Sequence, residues 1–327
     1  MDEMLTGLRA IAETTRLRLL FVLSHGEFNV SELTQILGQS QPRVSRHLKL
    51  MAESGLLLRY KEGSWVLFRL NEEGVGGALA RAIVSLLPAT DPLLASDLAR
   101  LEEVRRQRAE AATAYFRANA ENWEKLRSLH VREEDVEAAM RKLAGERAFD
   151  IYLDLGTGTG RILRLFAPQA ARAIGIDSSR EMLAMARAHS TGESRIEVRH
   201  GDIYALPYPN AWADFITIHQ VLHYLDEPLR AIIEAARVLK PGARLMITDF
   251  APHEREELRE RHAHRRLGVP ADVMAEWLAR AGLALRQVDL LPPPSLNGET
   301  GLGVSIWLAE RPPAASAPAV MANAGVA

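Results

Sequence analysis

A short apolar run that ends in three alternating glycines constrains the fold more than any other stretch. Residues 151–155 read Ile-Tyr-Leu-Asp-Leu, residues 156–160 read Gly-Thr-Gly-Thr-Gly, and apolar residues at helical spacing follow at 161–166. The pattern predicts a buried strand, a tight loop and the start of a helix. Glycine adopts left-handed backbone angles and lets a ligand approach the chain, while amides at a helix start attract polar groups. We therefore predict a loop that binds a nucleotide-like ligand.

The spacing of the glycines narrows the kind of ligand. The loop has the form G-x-G-x-G with Asp154 two residues before the first glycine, whereas the dinucleotide fingerprint is G-x-G-x-x-G. A second predicted strand ends at Asp177, at about the distance where nucleotide-binding folds hold ribose hydroxyls. A third predicted strand is followed by Asp202. Strands and helices alternate from this point, so we predict a doubly wound α/β sheet with its ligand at the carboxyl ends of the strands.

Residues 151–309 resemble the class I S-adenosylmethionine-dependent methyltransferases through these motifs. The resemblance implies a Rossmann-like, mostly parallel sheet that binds S-adenosyl-L-methionine, yields S-adenosyl-L-homocysteine and methylates a small molecule without a metal. It implies that the glycine loop lines the methionine part, that Asp177 holds both ribose hydroxyls and that Asp202 binds the adenine edge. The implied cofactor contacts are Asp154, Gly156, Thr157, Gly158, Gly160, Asp177, Ser178, Met182, Asp202, Ile203 and His219. The alternative is an ordinary tight turn between strand and helix.

Two histidines follow the fourth predicted strand, at 213–218. In the small-molecule methyltransferases that this segment resembles, residues after that strand face the transferred methyl group. The resemblance therefore makes His219, with His223 behind it, the candidate catalytic residues. For both, a hydrogen-bonded packing role is the equal alternative. The charged segment 252–266 is predicted to form an exposed helix or lid on the substrate side.

The first seventy residues predict helices and a hairpin. Apolar residues at three- and four-residue steps predict two opening helices. Ser31 and Ser40 are the predicted N-caps of the next two helices, and Gly38 ends the first of them. Residues 56–60 and 65–70, joined by a Lys-Glu-Gly-Ser turn, predict a β-hairpin. A hairpin behind a helix-turn-helix is a wing.

The second helix of that motif carries positive charge with no carboxylate nearby. No acidic residue lies between Glu32 and Glu53, whereas Arg43, Arg46 and Lys49 lie inside that window. Cations without neighbouring carboxylates favour contact with a phosphate backbone. Because the formal net charge is only -2, DNA binding must depend on this local patch.

Residues 30–70 resemble the winged-helix domain of the ArsR/SmtB family of bacterial repressors, through the run from Gln41 to Leu50 and the hairpin behind it. The resemblance implies that a homodimer binds a double-stranded DNA operator. The residues implied to contact DNA are Gln41, Arg43, Ser45, Arg46, His47 and Lys49 and, from the wing, Arg59, Lys61 or Arg69. The alternative is a winged helix that makes only protein contacts.

Metal sensing, which is common in that family, is not expected here. The chain has no cysteine, which excludes disulfides, thiolate metal sites and a cysteine nucleophile, and argues against an arsenic methyltransferase. The last helix of the repressor-like domain, at 72–87, has no histidine. Its apolar residues predict either a dimerisation surface or a helix buried within the chain. These residues are Val75, Leu79, Ile83, Val84, Leu86 and Leu87.

A chain of 327 residues is longer than a single core usually supports, so we predict two domains with a helical connection. The predicted parts are a winged helix at 1–88, a helical linker and cap at 89–149, a methyltransferase domain at 150–310 and a disordered tail at 311–327. The linker is predicted to begin as a solvated arm from residue 97. Tyr115, Asn119 and Trp123 either close the cofactor pocket or simply pack.

The predicted function combines both halves: a DNA-binding transcriptional regulator with a domain that binds S-adenosyl-L-methionine and methylates a small molecule. Two alternatives stay open. One is a non-catalytic sensor of the cofactor or its demethylated product, and the other is a metabolic methyltransferase, acting on a quinone or small acid, whose winged helix only dimerises. No apolar window reaches membrane-spanning length and the start lacks a signal peptide's basic residues, so we expect a cytoplasmic protein without membrane contact.

Overall fold

The computed structural model describes residues 1–62, 64–88, 90–119, 132–296 and 299–313. The chain divides into two compact units. The first comprises 1–119, 222–227 and 252–268, and the second comprises 120–221, 228–251 and 269–327. Trp123 and most of the predicted tail, residues 314–327, lie outside the described residues.

The first unit contains a winged helix-turn-helix. Its helices are α1 (Asp2–Ile11), α2 (Thr14–Leu23), α3 (Val30–Leu37), α4 (Gln41–Glu53), α5 (Gly74–Leu86) and α6 (Pro92–Asn119). Its strands are β1 (Phe28–Asn29), β2 (Leu57–Glu62) and β3 (Trp65–Leu70), which form an antiparallel sheet in the order β1-β3-β2. The hairpin of β2 and β3 is the predicted wing.

Local hydrogen bonds explain where α3 begins and ends. Asn29, and not the predicted Ser31, caps the helix: its Oδ1 accepts from the Glu32 amide at 3.0 Å, and Glu32 Oε2 accepts from the Asn29 amide at 3.0 Å. This reciprocal pair satisfies two amides that have no partner within the helix. Gly38 ends α3 with φ of +62°, a conformation that glycine adopts without steric cost.

The predicted solvated arm from residue 97 is wrong for the first half of α6. Leu101 and Val104 are 0% and 4% exposed and belong to the same apolar core as the winged helix. The fully buried members of that core include Leu19, Leu20, Val22, Leu33, Ile36, Val44, Leu48, Met51, Leu56 and Leu101. Burying one such side chain contributes about 1.5–3 kcal/mol, so this core holds α6 against the DNA-binding motif.

A buried ion pair fixes the same part of α6. The side chain of Asp97 is 0% exposed, and its two oxygens accept from Nε and Nη2 of Arg18, each at 2.6 Å. Arg100 adds a third bond to this carboxylate at 2.5 Å. The hydrogen bonds that Arg18 donates to Asp97 raise the pKa of Arg18, although burial opposes this. A two-pronged pair of this kind holds one geometry.

The second unit is a helix-flanked sheet. Its helices are α7 (Glu133–Ala144), α8 (Arg161–Phe166), α9 (Arg180–His189), α10 (Pro228–Val238) and α12 (Ala271–Arg280). Its strands are β4 (Phe149–Leu155), β5 (Ala170–Asp177), β6 (Ile196–His200), β7 (Ala213–His219), β8 (Leu239–Phe250), β9 (Ala284–Leu291) and β12 (Val304–Glu310), with the short pair β10 (Ser295–Leu296) and β11 (Glu299–Thr300) apart from them. Helix α11 (Glu257–His262), between β8 and α12, belongs to the first unit.

The sheet of the second unit has seven strands in the order β6-β5-β4-β7-β8-β12-β9. The five strands β4, β5, β6, β7 and β8 are parallel to one another. Strand β12 runs antiparallel to both β8 and β9. This confirms the predicted doubly wound, mostly parallel sheet. The strand order reverses between β4 and β7, and ligands of such sheets bind at the carboxyl ends of the strands beside that reversal.

Candidate active site and DNA-binding surface

The loop after β4 has a backbone shape that glycine adopts without steric cost. Gly156, Gly158 and Gly160 have φ of +71°, +52° and +78°. A Cβ on Gly156 would lie 2.4 Å from Val221 Cγ2, so a larger residue would displace the chain. The Gly156 amide also donates to the carbonyl of Ile176 at 2.8 Å, which ties the loop to β5.

Asp154 supports this loop from beneath. It is 1% exposed, its Oδ2 accepts from Thr157 Oγ1 at 2.7 Å, and its Oδ1 accepts from Thr217 Oγ1 at 2.6 Å. Because Thr217 gives its proton to Asp154, the Tyr152 hydroxyl is the donor in the 2.7 Å bond between those two hydroxyls. Burial, and then the Asp154 charge, raises the pKa of Tyr152 and keeps it a donor. The carboxylate thus joins β4, β7 and the glycine loop.

Asp177, at the end of β5, faces the same loop. Its Oδ2 accepts from the Gly158 amide and its Oδ1 from the Ser179 amide, each at 2.8 Å. Burial raises the pKa of Asp177, while the amides of Ser179, Gly158 and Ser178 oppose that rise. A carboxylate oxygen has two lone pairs, so each oxygen retains acceptor capacity for a ligand hydroxyl.

Of the residues predicted beside the adenine, Ser178, Asp202 and Ile203 follow neighbouring strands, and Met182 lies in the first turn of α9. Ser178 is exposed, Met182 is 2% exposed and Ile203 is half-buried. Asp202 follows β6, is exposed, and accepts from the Tyr204 amide at 2.9 Å. Since β4, β5 and β6 are adjacent and parallel, their carboxyl ends share one edge of the sheet.

The end of β7 combines burial with backbone strain. His219 is 6% exposed, and its Nε2 lies 3.9 Å from Oε2 of Glu133, which is itself 7% exposed in the first turn of α7. Gln220 has φ of +53°, which costs a non-glycine residue energy and is typical of functional sites. Its Nε2 is buried and, among the described residues, has no hydrogen-bond partner. A buried amide of this kind needs an explanation, and a ligand would supply one.

Sequence reasoning missed Ser179, Glu133 and Gln220. Ser179 follows Asp177 and caps α9 through a 3.2 Å bond from the Met182 amide, a pattern visible as a serine before a helix. Glu133 looked like any acidic residue at a helix start, and a positive φ at Gln220 has no signature in the sequence.

His223 belongs to the first unit, whereas His219 belongs to the second. The ring of His223 is 1% exposed and its centroid lies 4.1 Å from that of Tyr224 and 4.2 Å from that of His264. The packing alternative accounts for this position, and a catalytic role for His223 stays a prediction. That Tyr115 closes the cofactor pocket also stays a prediction, and its hydroxyl lies 2.7 Å from His262 Nδ1. Asn119 donates to the Tyr115 carbonyl at 2.8 Å.

Most residues predicted to contact DNA are accessible. Those exposed are Gln41, Arg43, Arg46, Lys49, Arg59 and Lys61, while Ser45 and Arg69 are half-buried. Arg43 and Lys49 pair with Glu13 at 3.6 Å and Glu53 at 3.8 Å, but among the described contacts Arg46 has no ion pair. Arg46 is therefore the cation of α4 that a phosphate or base can engage without first losing a partner.

The resemblance implies that His47 contacts DNA, but the structure buries its side chain. His47 is 6% exposed and follows Val44 by three residues, which places it on the buried face. Its Nδ1 lies 4.0 Å from Oε2 of Glu13. Burial lowers the pKa of His47, although Glu13 opposes this. His47 therefore lies between α4 and Glu13, the residue that precedes α2.

Comparison with known sequences identifies the first unit. The profile described as bacterial regulatory protein, arsR family, matches residues 13–57. The arsenic resistance transcriptional regulator ArsR1 of Pseudomonas putida is 36% identical over 108 residues, which cover 32% of this chain and 84% of that protein. The chain belongs to the ArsR family. The predicted winged helix is thereby confirmed.

This ArsR-family protein also carries a methyltransferase domain. The family profile described as methyltransferase domain matches residues 153–247. A demethylmenaquinone methyltransferase of Clavibacter sepedonicus is 36% identical over 113 residues, covering 35% of this chain and 44% of that protein. A chain from the complex of the Haloferax volcanii Trm112 methyltransferase activator with a methyltransferase has the same fold. It has a TM-score of 0.51 and 22% identity, and the match covers 60% of this chain and 97% of that one.

The ArsR-family chain spans 30% to 58% of the length of the first curated relatives that it matches. Within its described residues, no helix has the length and apolar composition needed to cross a bilayer. In the same residues, no group of three or more histidine and acidic side chains is placed to hold a metal ion.

Proposed function

We propose that this protein is a transcriptional regulator that binds an operator through its winged helix and methylates a small molecule through its second unit. The observation that carries the methyltransferase half is Asp177, which is held beneath the glycine loop by the amides of Gly158 and Ser179. A carboxylate fixed in this way is suited to the two adjacent hydroxyls of a ribose.

The residues present fit S-adenosyl-L-methionine. The three glycines of the loop place no side chain between its backbone and a ligand, and the buried Nε2 of Gln220 supplies a donor at the end of the neighbouring strand β7. Asp177 would hold the ribose, Asp202 and Met182 the adenine, and the loop over Asp154 the methionine part. When bound, the cofactor supplies a methyl group on an electrophilic sulfonium, so the protein mainly aligns the acceptor and excludes water.

We propose that His219 is the base that takes the proton lost by the substrate when that substrate is methylated. Its Nε2 lies 3.9 Å from the buried carboxylate of Glu133, which stabilises a positive imidazolium after proton transfer. An acceptor that loses a proton on methylation, such as a reduced quinone whose ring carbon takes the methyl group and gives up its hydrogen as a proton, suits this arrangement. The demethylmenaquinone methyltransferase relative supports that class of acceptor.

The test of the methyltransferase half uses the full chain. Calorimetric titration should show one site per chain for S-adenosyl-L-methionine and for S-adenosyl-L-homocysteine. Cofactor labelled in its methyl group should then label a reduced quinone, and His219→Ala should retain binding but lose transfer. Failure of both ligands to bind would contradict the proposal, while binding without transfer to quinones or small acids would favour a non-catalytic sensor.

The DNA half is tested on the duplex upstream of the protein's own gene. Fluorescence anisotropy should show tight binding that weakens with salt, because the contact depends on cations. Arg46→Ala should weaken binding by about tenfold or more, as expected for a residue that reads a base or phosphate. Arg187→Ala, which removes an exposed arginine from α9, is the matched control and should leave the affinity unchanged.

We also propose a homodimer through α1 and α5. Leu79, Ile83 and Val84 pack against the core, but Val75 and Leu86 of α5 remain 43% and 77% exposed. On α1, Met4, Leu5 and Leu8 are 47%, 42% and 39% exposed. The helices are in close contact, since a Cβ on Gly7 would lie 2.7 Å from Leu79 Cδ2. Their outer faces thus form one apolar surface of the kind that mediates association.

The combined variant Val75→Glu and Leu86→Glu should sediment as a single chain, whereas the unmodified protein should sediment at about twice that mass. Placing charge on an apolar interface opposes its burial. If the combined variant sedimented as a dimer, as the unmodified protein does, the proposed interface would be wrong.

A further inference from the structure

The first unit includes a segment whose position in the sequence lies within the methyltransferase half. Residues 252–268 fall between β8 and α12, yet they group with the winged helix. We call residues 252–268 the brace segment. Several of its contacts within the first unit are with the wing.

Arg259 of the brace segment binds the tip of the wing. Its guanidinium lies 4.4 Å from the ring centroid of Trp65, and its Nη1 donates to the Glu62 carbonyl at 2.8 Å. Its Nη2 lies 3.2 Å from Glu62 Oε1, and the side chain is 3% exposed. Glu256 Oε1 accepts from the Ser64 amide in the wing turn at 2.5 Å. Stacking and hydrogen bonding therefore hold the hairpin at its turn.

A second set of contacts holds the body of the wing. Arg266 lies 3.1 Å from Oε2 of Glu27, which also accepts from the Tyr60 hydroxyl of β2 at 2.5 Å. Burial acts to raise the pKa of Glu27, but the Arg266 charge and the Tyr60 hydroxyl hold it below the ordinary glutamate value. The Leu267 amide donates to Glu62 Oε1 at 2.5 Å. These bonds join the brace segment directly to Glu62 at the end of β2 and, through Glu27, to Tyr60 within the strand.

The brace segment contacts one face of β2 and leaves the other to solvent. Successive side chains of a strand point to opposite faces, so Tyr60 and Glu62 share one face, and Arg59 and Lys61 share the other. Tyr60 and Glu62 interact with Glu27 and the brace segment, whereas Arg59 and Lys61 are exposed. The exposed face carries the two cations of β2 predicted to contact the DNA backbone.

We propose that the brace segment positions the wing for DNA, so that the affinity contributed by Arg59 and Lys61 depends on Arg259 and Arg266. This inference rests on the proposed DNA binding and adds to it. It makes residues encoded between β8 and α12 positioning residues for operator binding. A wing that lost the brace would sample other orientations, and its cations would meet the phosphates only part of the time.

A double-mutant cycle on operator DNA tests this dependence. In the full-length protein, Arg59→Ala should weaken binding about tenfold, and Arg259→Ala should weaken it by a similar factor. In the Arg259→Ala background, Arg59→Ala should cost less than about twofold, because the wing no longer presents the cation. A merely structural role for Arg259 would lower stability without removing the penalty of the second substitution.

Two further variants keep the test decisive. Arg261→Ala removes an exposed arginine from the same helix, and in that background the full penalty of Arg59→Ala should remain. If Arg259→Ala fails to fold by circular dichroism, Glu256→Gln, which weakens the bond to Ser64, takes its place in the cycle. The proposal would be overturned if Arg59→Ala reduced operator affinity equally in every background, or did not reduce it in the otherwise unmodified chain. If the unmodified chain did not bind the operator at all, the proposed function itself would be contradicted.

Discussion

Asp177→Ala is expected to abolish measurable binding of S-adenosyl-L-methionine while the ligand-free chain still binds its operator. The carboxylate would accept two hydrogen bonds from ribose hydroxyls, and bonds to a charged group contribute about 1.5–3 kcal/mol each. A loss of about 3–6 kcal/mol weakens binding roughly 10²–10⁴-fold. The change also removes the acceptor of the Gly158 and Ser179 amides, so the glycine loop loses its support. Calorimetric titration with the cofactor measures the effect.

Two controls separate a lost contact from a lost fold. Glu193→Ala removes an exposed carboxylate from the same unit and should leave cofactor binding unchanged. Operator binding by Asp177→Ala should equal that of the unmodified chain, since α4 and the wing belong to the first unit. Cofactor affinity within about threefold of the unmodified value would remove Asp177 from the site, and loss of both activities would indicate misfolding.

Features governed by neighbouring residues could be predicted from the sequence. The glycine loop, the acids at the ends of β4 and β5, and the end of α3 at Gly38 all follow from backbone sterics and short-range periodicity. The doubly wound, mostly parallel sheet followed from the alternation of predicted strands and helices. Each of these predictions rests on patterns among residues that are close in the sequence.

The remaining features depend on partners far away in the sequence. The charged segment 252–266 was expected to be exposed, but the side chain of Arg259 is 3% exposed because Glu62 pairs with its charge and Trp65 stacks on it. Hydrophobicity assigned residue by residue cannot anticipate such a pair, since an arginine is buried only when its partner is present. The bond between Asp154 and Thr217, 63 residues apart, escaped notice for the same reason. So did the partnership of His219 with Glu133.

Helix α6 also depends on a partner far away in the sequence, and we expect Asp97→Ala to cause a large loss of stability. Asp97 is 0% exposed and binds Arg18 through both oxygens, 79 residues away in the chain. Removing one partner of a buried pair leaves the other charged and unpaired, which costs about 3–5 kcal/mol. We expect the free energy of unfolding of the first unit to fall by that amount, measured by urea denaturation with circular dichroism.

The matched control is Glu103→Ala on the same helix. Glu103 pairs with Arg106 at 2.6 Å, but both side chains are largely in water, so its removal should leave the urea midpoint nearly unchanged. Replacing both buried partners, as Arg18→Met with Asp97→Leu, should recover most of the stability lost in Asp97→Ala, because no unpaired charge remains and the space stays filled. If Asp97→Ala shifted the midpoint no more than Glu103→Ala, α6 would not be anchored to the winged helix by this pair. A double variant no more stable than Asp97→Ala would instead place the stabilisation in the hydrogen bonds themselves, including the 2.7 Å bond from Arg18 to the Leu37 carbonyl.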